Sequence, residues 1–367
     1  MAVGEMSDGG ETGAGGETGA GGAGGATPGL SGWRLWWAGA RPRTLPAAIV
    51  PVLVGTAAAA GEWHGSVFDG PHGLFPPGGF PSDLAIAYGA WPEYGGGVTR
   101  GIILWRFVGA LVVALAIQVA TNYANDYSDG KRGTDDPGKR VGPVRLVGSG
   151  LATPGQVKKA ILISFAVAGA GGLALAAAVG WWLILVGLMC FAAGWFYTGG
   201  PKPYGYAGLG EAFVFVFFGV VATTGSAFVQ MERMPWLALA ASVPVGCLAT
   251  ALLVINNLRD IPSDTLSGKR TLAVKLGDQR TRILYTVLLV LPFVLTPIIA
   301  GLSRRPAAAL SLVAVLLARK PLLPVLQGAK GAALIPVLGS TGQVQLIYGV
   351  LLSVGFFVGA PQNPFGL

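Results

Sequence analysis

Residues 102–136 read IILWRFVGALVVALAIQVATNYANDYSDGKRGTDD. The first two-thirds is an apolar run of the length that crosses a bilayer as a helix. It continues without a break into a polar end holding Asn122, Asn125, Asp126 and Asp129. Those four stand at i, i+3, i+4 and i+7, one face of a helix. A membrane helix that ends in an acidic face needs an explanation, because carboxylates near lipid are costly and mark functional sites. A second stretch has the same design: the apolar run 236–258 ends in Asn256-Asn257-Leu-Arg259-Asp260-Ile-Pro-Ser-Asp264, followed by Lys269 and Arg270. Asn-x3-Asp thus occurs twice, which points to two pseudo-repeats with facing acidic ends. Pro262 argues that the second helix stops before Asp264.

Seven further apolar segments lie near 44–61, 159–178, 180–198, 208–229, 282–301, 306–326 and 343–360. The spacing predicts nine transmembrane helices, the eighth weakened by Arg319, Lys320, Pro321 and Pro324, and a tight hairpin at Gly180–Trp182. No strand pattern is present. Of 367 residues, 52% are hydrophobic and 11% charged, against about 25% charged in a soluble domain. Mean hydropathy is +0.61. This excludes an ordinary soluble enzyme and a disordered polymer. It also argues against a nucleic-acid binder, despite a net charge of +8; the basic excess belongs at a membrane surface.

Residues 1–30 are a Gly/Ala-rich tail without an apolar signal core, expected to be disordered and cytoplasmic. Residues 31–367 form the membrane domain, and 62–101 a Gly/Pro-rich external loop. With the N-terminus inside and nine crossings, 20 of the 25 Lys and Arg fall on the inner side, as the positive-inside rule requires. The other five are Arg100, Arg106, Arg233, Arg304 and Arg305, of which the adjacent pair Arg304 and Arg305 fits the rule least. The two cysteines, Cys190 and Cys247, sit in apolar runs, and both histidines, His64 and His72, lie in the external loop. Neither residue type supplies a core metal or catalytic site.

Seven of the 17 acids fall in the windows 126–136 and 260–278. Clustered carboxylates repel, and a divalent cation relieves the repulsion. Hard oxygen donors without His or Cys select Mg2+ or Mn2+, and Mg2+ completes its shell with water and substrate phosphate. Asn125, Asp126, Asp129, Asp260 and Asp264 are the candidate ligands, the four aspartates also being the candidate catalytic acids. Lys131, Arg132, Lys139, Arg140, Arg145, Lys269 and Arg270 supply the cations of a diphosphate site. Acids and bases beside an apolar bundle point to a diphosphate with a lipid tail. A secondary transporter remains an alternative, but it would place its acids near the bilayer midplane on broken helices.

These residues resemble the two Asp-rich motifs of the UbiA superfamily of intramembrane prenyltransferases. The stretches Asn122–Gly130, Gly142-Pro-Val-Arg145, Tyr197-Thr-Gly-Gly-Pro-Lys202-Pro-Tyr204, Gly208-Leu-Gly-Glu211 and Asn256–Asp260 are similar to the branch that prenylates 1,4-dihydroxy-2-naphthoate in menaquinone synthesis. Gly133 stands where the superfamily carries a further Asp, with Asp135 nearby. The resemblance implies a helical bundle around a central cavity, in the plasma membrane, with its active site facing the cytoplasm. It implies transfer from a polyprenyl diphosphate to the naphthoate; 4-hydroxybenzoate is the alternative acceptor. Asn122, Asn125, Tyr197, Lys202, Tyr204, Asn256 and Asn257 join the cations as expected substrate contacts, and Glu211 as an orienting group. Tyr127, Trp195, Phe196 and Tyr197 are the aromatic faces expected to stabilise an allylic cation.

Overall fold

The computed structural model describes residues 32–60, 102–132 and 145–359. The expected tail and external loop, Gly133, Asp135, Lys139 and Arg140 lie outside those residues. The described chain is helical throughout, with no strand. In order come α1 (Trp33–Ala40), α2 (Pro46–Ala59), α3 (Leu104–Lys131), α4 (Pro154–Val179) and α5 (Leu183–Phe196). Then follow α6 (Gly210–Met231), α7 (Trp236–Leu266), α8 (Leu272–Leu302), α9 (Pro306–Leu326) and α10 (Leu334–Val358).

All nine apolar segments are helical, as α2 to α10, but the expected count of nine crossings is not reached by length. Among the described residues seven helices are long and apolar enough to cross, or eight if α1 and α2 form one span bent by 57°. Helix α5, expected to span, has 14 residues. At 1.5 Å per residue that is about 21 Å, short of a ~30 Å hydrocarbon layer. The bend between α1 and α2 has a local cause. Pro42 disfavours the helical conformation in the residue before it, and Arg41 leaves the helix at φ 54°, ψ 71°. Helix α4 starts on a reciprocal cap, with Thr153 and Gln156 each accepting from the other's backbone N–H.

Helix α7 is the centre of the bundle. Of its most apolar stretch 78% is buried, against 22% for α3 and for α4, which present broad faces to lipid. It runs through Pro262 to Leu266, which corrects the expected stop before Asp264. Proline's fixed φ suits a helix; the missing N–H removes one bond, and the helices packed around α7 hold the rest. Asn256, Asp260 and Asp264 therefore share one face of a single helix. Small residues let neighbouring helices approach closely. A methyl group on Gly55 of α2 would stand 2.0 Å from the Thr223 carbonyl oxygen of α6, and one on Gly219 of α6 would stand 2.5 Å from Gly246 of α7.

Two buried arginines tie the end of the bundle opposite the acidic windows. Arg106 donates to the Val229 carbonyl at 2.9 Å and to Glu232 at 2.8 Å. Arg305 donates to the Phe356 carbonyl at 2.9 Å. Both neutralise last-turn carbonyls, of α6 and α10 respectively, where the helix dipole is negative. Arg305 opposes the charge rule because it is a buried helix tie.

Candidate functional site

A cavity of about 620 Å³ opens inside the bundle. On α3 it is lined by Ala110, Val113, Ala114 and Ile117, then by Gln118, Thr121, Asn122 and Asn125. This is one helical stripe, and its chemistry changes from apolar to polar halfway along. From Ala110 to Asn125 the wall is about 22 Å long at 1.5 Å per residue. Helix α5 lines the cavity from Leu183 through Gly187 and Ala193 to Tyr197, in the same direction. The polar end is rimmed by four arginines, Arg41, Arg43, Arg145 and Arg259, with Asn256 and Tyr204 beside them. The site is an apolar shaft with a cationic mouth.

Helix α6 lines the shaft with two adjacent rows, 213, 217, 221, 225 and 229 and, beside it, 214, 218, 222 and 226, each with a period of four. In a straight α-helix each four-residue step turns about 40° off axis, so such a stripe would rotate out of the cavity. Phe215–Val221 is a π-helix, whose wider turn under-rotates and cancels the drift. The result is an aromatic column entering from the mouth. Tyr204 stacks on Phe213 at 4.0 Å between centroids, and Phe213 lies nearly parallel to Phe217 at 5.9 Å. Of the aromatic residues expected to face a cation, Tyr197 lines the cavity. Tyr127 and Trp195 pack around α1 and α3, and Phe196 is half exposed.

The four aspartates do not themselves line the cavity, and all have partners. Asp126 accepts the backbone N–H groups of Leu146 at 2.8 Å and Val147 at 2.9 Å, one on each carboxylate oxygen. It anchors the segment that carries Arg145, and both oxygens expected to bind metal are engaged there. Asp129 accepts from Lys269 at 2.9 Å, from Arg145 at 3.4 Å and from the Tyr206 hydroxyl. The first acidic window is thus joined to the loop that follows the second. Asp260 pairs with its neighbour Arg259, whose Nε and Nη2 reach its two oxygens at 2.8 and 2.7 Å. The same guanidinium donates to Asn256 at 2.8 Å, while its buried Nη1 has no hydrogen-bond partner among the described residues. Asp264 is buried on the same face of α7.

Tyr206 is the hub between the windows. Its ring lies under Arg132 at 5.1 Å and Lys269 at 4.7 Å. Its carbonyl accepts the Arg270 N–H at 3.0 Å. Arg132 also donates to the carbonyls of Thr198 and Gly200, and Thr198 donates to Asn125 at 2.8 Å. Burial, then the adjacent Asp129 carboxylate, push the Tyr206 phenol above its usual range, so it stays a hydrogen-bond donor.

The other expected residues divide. Asn122 lines the cavity, but its amide donates to the Ala40 carbonyl at 2.8 Å and to Thr44. Asn257 is spent on Glu211 at 2.9 Å, tying α7 to α6. Lys131, Lys202 and Arg270 are exposed, and they do not line the cavity any more than buried Lys269 or the four aspartates do. Arg41, Arg43 and Arg259 were overlooked as site residues. The first two read as positive-inside determinants, and Arg259 as part of a helix end. The Arg-Pro-Arg break before an apolar run was the available signal.

Three comparisons bear on this arrangement. The model of the UbiA prenyltransferase family matches residues 79–324. The 1,4-dihydroxy-2-naphthoate octaprenyltransferase of Mycobacterium tuberculosis (strain ATCC 25618 / H37Rv) is 46% identical over 319 residues, covering 87% of this chain and 95% of that relative. The Escherichia coli (strain K12) protein of the same name is 37% identical over 269 residues, covering 71% and 74%. A solved UbiA homolog from Aeropyrum pernix K1, at 15% identity, superposes with a TM-score of 0.57 over 84% of this chain and 97% of its own. That likeness is one of fold.

Proposed function

The chain belongs to the UbiA prenyltransferase family, and from that premise we propose that it transfers a polyprenyl group from polyprenyl diphosphate to 1,4-dihydroxy-2-naphthoate. The products are demethylmenaquinol, in which both ring hydroxyls are kept, with CO2 and pyrophosphate. One observation on this chain carries the reading: a single cavity about 22 Å long runs from an apolar shaft to a polar mouth rimmed by Arg41, Arg43, Arg145 and Arg259. A lipid tail fits the first part and a diphosphate the second. The acceptor follows from the relatives of that name.

The donor set suits Mg2+, or Mn2+. Asp129, Asp260 and Asp264 are hard, buried oxygens; they do not line the cavity, but Asp129 and Asp260 pair with Arg145 and Arg259 of its rim, and Asn125 of α3 lines it. Among the described residues no three His, Cys, Asp or Glu converge. An ion held by one or two carboxylates and completed by water and phosphate needs no such cage. When bound, Mg2+ supplies charge neutralisation to the leaving diphosphate. Asp126 holds Arg145 in place and is a positioning residue.

Arginines and Lys269 hold the diphosphate, so the allylic C–O bond breaks with its electron pair going to the leaving group. Tyr204, Phe213 and Phe217 present π faces where the carbocation develops. The apolar shaft excludes the water that would quench it. The naphthoate carbon bearing the carboxylate then forms the new C–C bond. Its bond to the carboxylate breaks, CO2 leaves, and the electron pair restores the ring, so no general base is required at that carbon. We place the mouth at the cytoplasmic face of the plasma membrane, the side that carries most of the Lys and Arg.

The test supplies purified protein, Mg2+, a polyprenyl diphosphate and carboxyl-labelled naphthoate. Lipid-soluble prenylated product with labelled CO2 is expected. Product from 4-hydroxybenzoate and none from the naphthoate would overturn the acceptor.

A further inference from the structure

Three glycines on three different helices face the shaft: Gly172 on α4, Gly187 on α5 and Gly225 on α6. A side chain built at any of them would meet nothing within 4 Å. Elsewhere glycines serve close packing, as at Gly55 and Gly219, where a methyl group would collide with backbone. These three leave room in the cavity and hold no helices together.

They also lie at similar depth. Gly187 is ten residues before Tyr197 on α5, about 15 Å below the mouth at 1.5 Å per residue. Gly225 is twelve residues beyond Phe213 on α6, no more than about 18 Å. Gly172 follows Gly171, whose position abuts Val113 of α3. Val113 is twelve residues before Asn125, again about 18 Å. The period-four stripe set up by the π-helix is what turns Gly225 into the shaft.

Resting on the proposed prenyl transfer, we infer that Gly172, Gly187 and Gly225 form a ring that lets a long prenyl chain pass and so sets the chain length the protein accepts. An isoprene unit has four chain bonds of about 1.5 Å and spans about 5 Å when extended. Three units reach the ring from the mouth. A two-unit chain ends above it, and an eight-unit chain must pass through.

The experiment compares geranyl diphosphate, with two units, and octaprenyl diphosphate, with eight, as donors to the naphthoate. Gly225→Phe and Gly187→Phe are each expected to lower the octaprenyl-to-geranyl ratio of kcat/KM at least ten-fold. Geranyl transfer stays within about three-fold of wild type, because a two-unit chain ends above the ring. If a Phe variant loses both activities, Gly225→Leu and Gly187→Leu are scored on the same ratio. An unchanged ratio in these variants overturns the inference. Wild-type protein run alongside separates the two readings: no prenylated naphthoate from either donor refutes the parent function. Wild-type turnover with an unchanged ratio in the variants refutes the ring alone.

Discussion

Replacing Asp129 by Asn should weaken the protein and strengthen its response to pyrophosphate. Asp129 is buried and holds two buried cations, Lys269 at 2.9 Å and Arg145 at 3.4 Å, with the Tyr206 hydroxyl as a third donor. Removing one partner of a buried ion pair costs about 3–5 kcal/mol, because the other charge stays uncompensated. Asn keeps one acceptor oxygen, so the lower end, about 3 kcal/mol, is expected. At roughly 2 °C per kcal/mol for a chain of this size, Tm falls about 6 °C. Pyrophosphate then supplies the missing negative charge. In wild type it must compete with Asp129 for Lys269 and Arg145; in Asp129→Asn it does not. Metal-free pyrophosphate should therefore raise Tm more in the variant than in wild type, while prenyl transfer falls at least 100-fold. Unfolding can be followed in detergent with a thiol-reactive dye, since Cys247 is buried; Cys190→Ala in both proteins leaves a single reporter. A variant with unchanged Tm and the same pyrophosphate shift as wild type would refute the account of this cluster.

Asp126→Ala removes acceptors from the N–H groups of Leu146 and Val147. Limited proteolysis should then cut faster around 145–152, and KM for the diphosphate should rise as Arg145 loses its position. Gly55→Val places a side chain 2.0 Å from the Thr223 carbonyl; forcing α2 from α6 should cost about 2 kcal/mol or more, read as a lower Tm. Chelation with EDTA should abolish turnover, and Mg2+ added in excess should restore it. Turnover that survives exhaustive chelation would remove the metal from the mechanism.

The helices were legible because apolar run length is a strong signal, and nine segments did become nine helices. The number of crossings was less legible, because α5 is apolar at every turn yet only 14 residues long. Pro262 misled for a related reason: a local rule against proline in helices yields to the packing around α7. In the site, the identity of the acids could be read but their partners could not. Asp126 and Asp129 occupy one helix face three residues apart, yet one binds backbone N–H groups and the other binds cations. That difference is set by the segment beginning at Arg145 and by the loop carrying Tyr206 and Lys269, distant in sequence. The aromatic column was not legible because Phe213 and Phe217, four apart on one helix face, read as ordinary lipid-facing or core aromatics until the stacking of Tyr204 from the preceding loop is seen.

The pairing at the mouth also bears on how the site receives substrate. Lys269 and Arg145 share Asp129, and Arg259 pairs with Asp260, so each of these charges has a partner of opposite sign, with one net positive charge over the set. Buried charges of either sign left alone would be far more costly. A metal–diphosphate complex brings both signs at once. The acids can turn to the cation and the basic groups to the phosphate oxygens, so that each charge keeps a partner of opposite sign at both stages. Metal or diphosphate alone satisfies half of that exchange and leaves the other half exposed. The two should therefore bind with positive cooperativity, each tightening the other by the cost of the charge it would strand. Calorimetric titration of pyrophosphate with and without Mg2+ reads this directly. Equal affinities in the two conditions would mean that the acids and bases do not exchange partners.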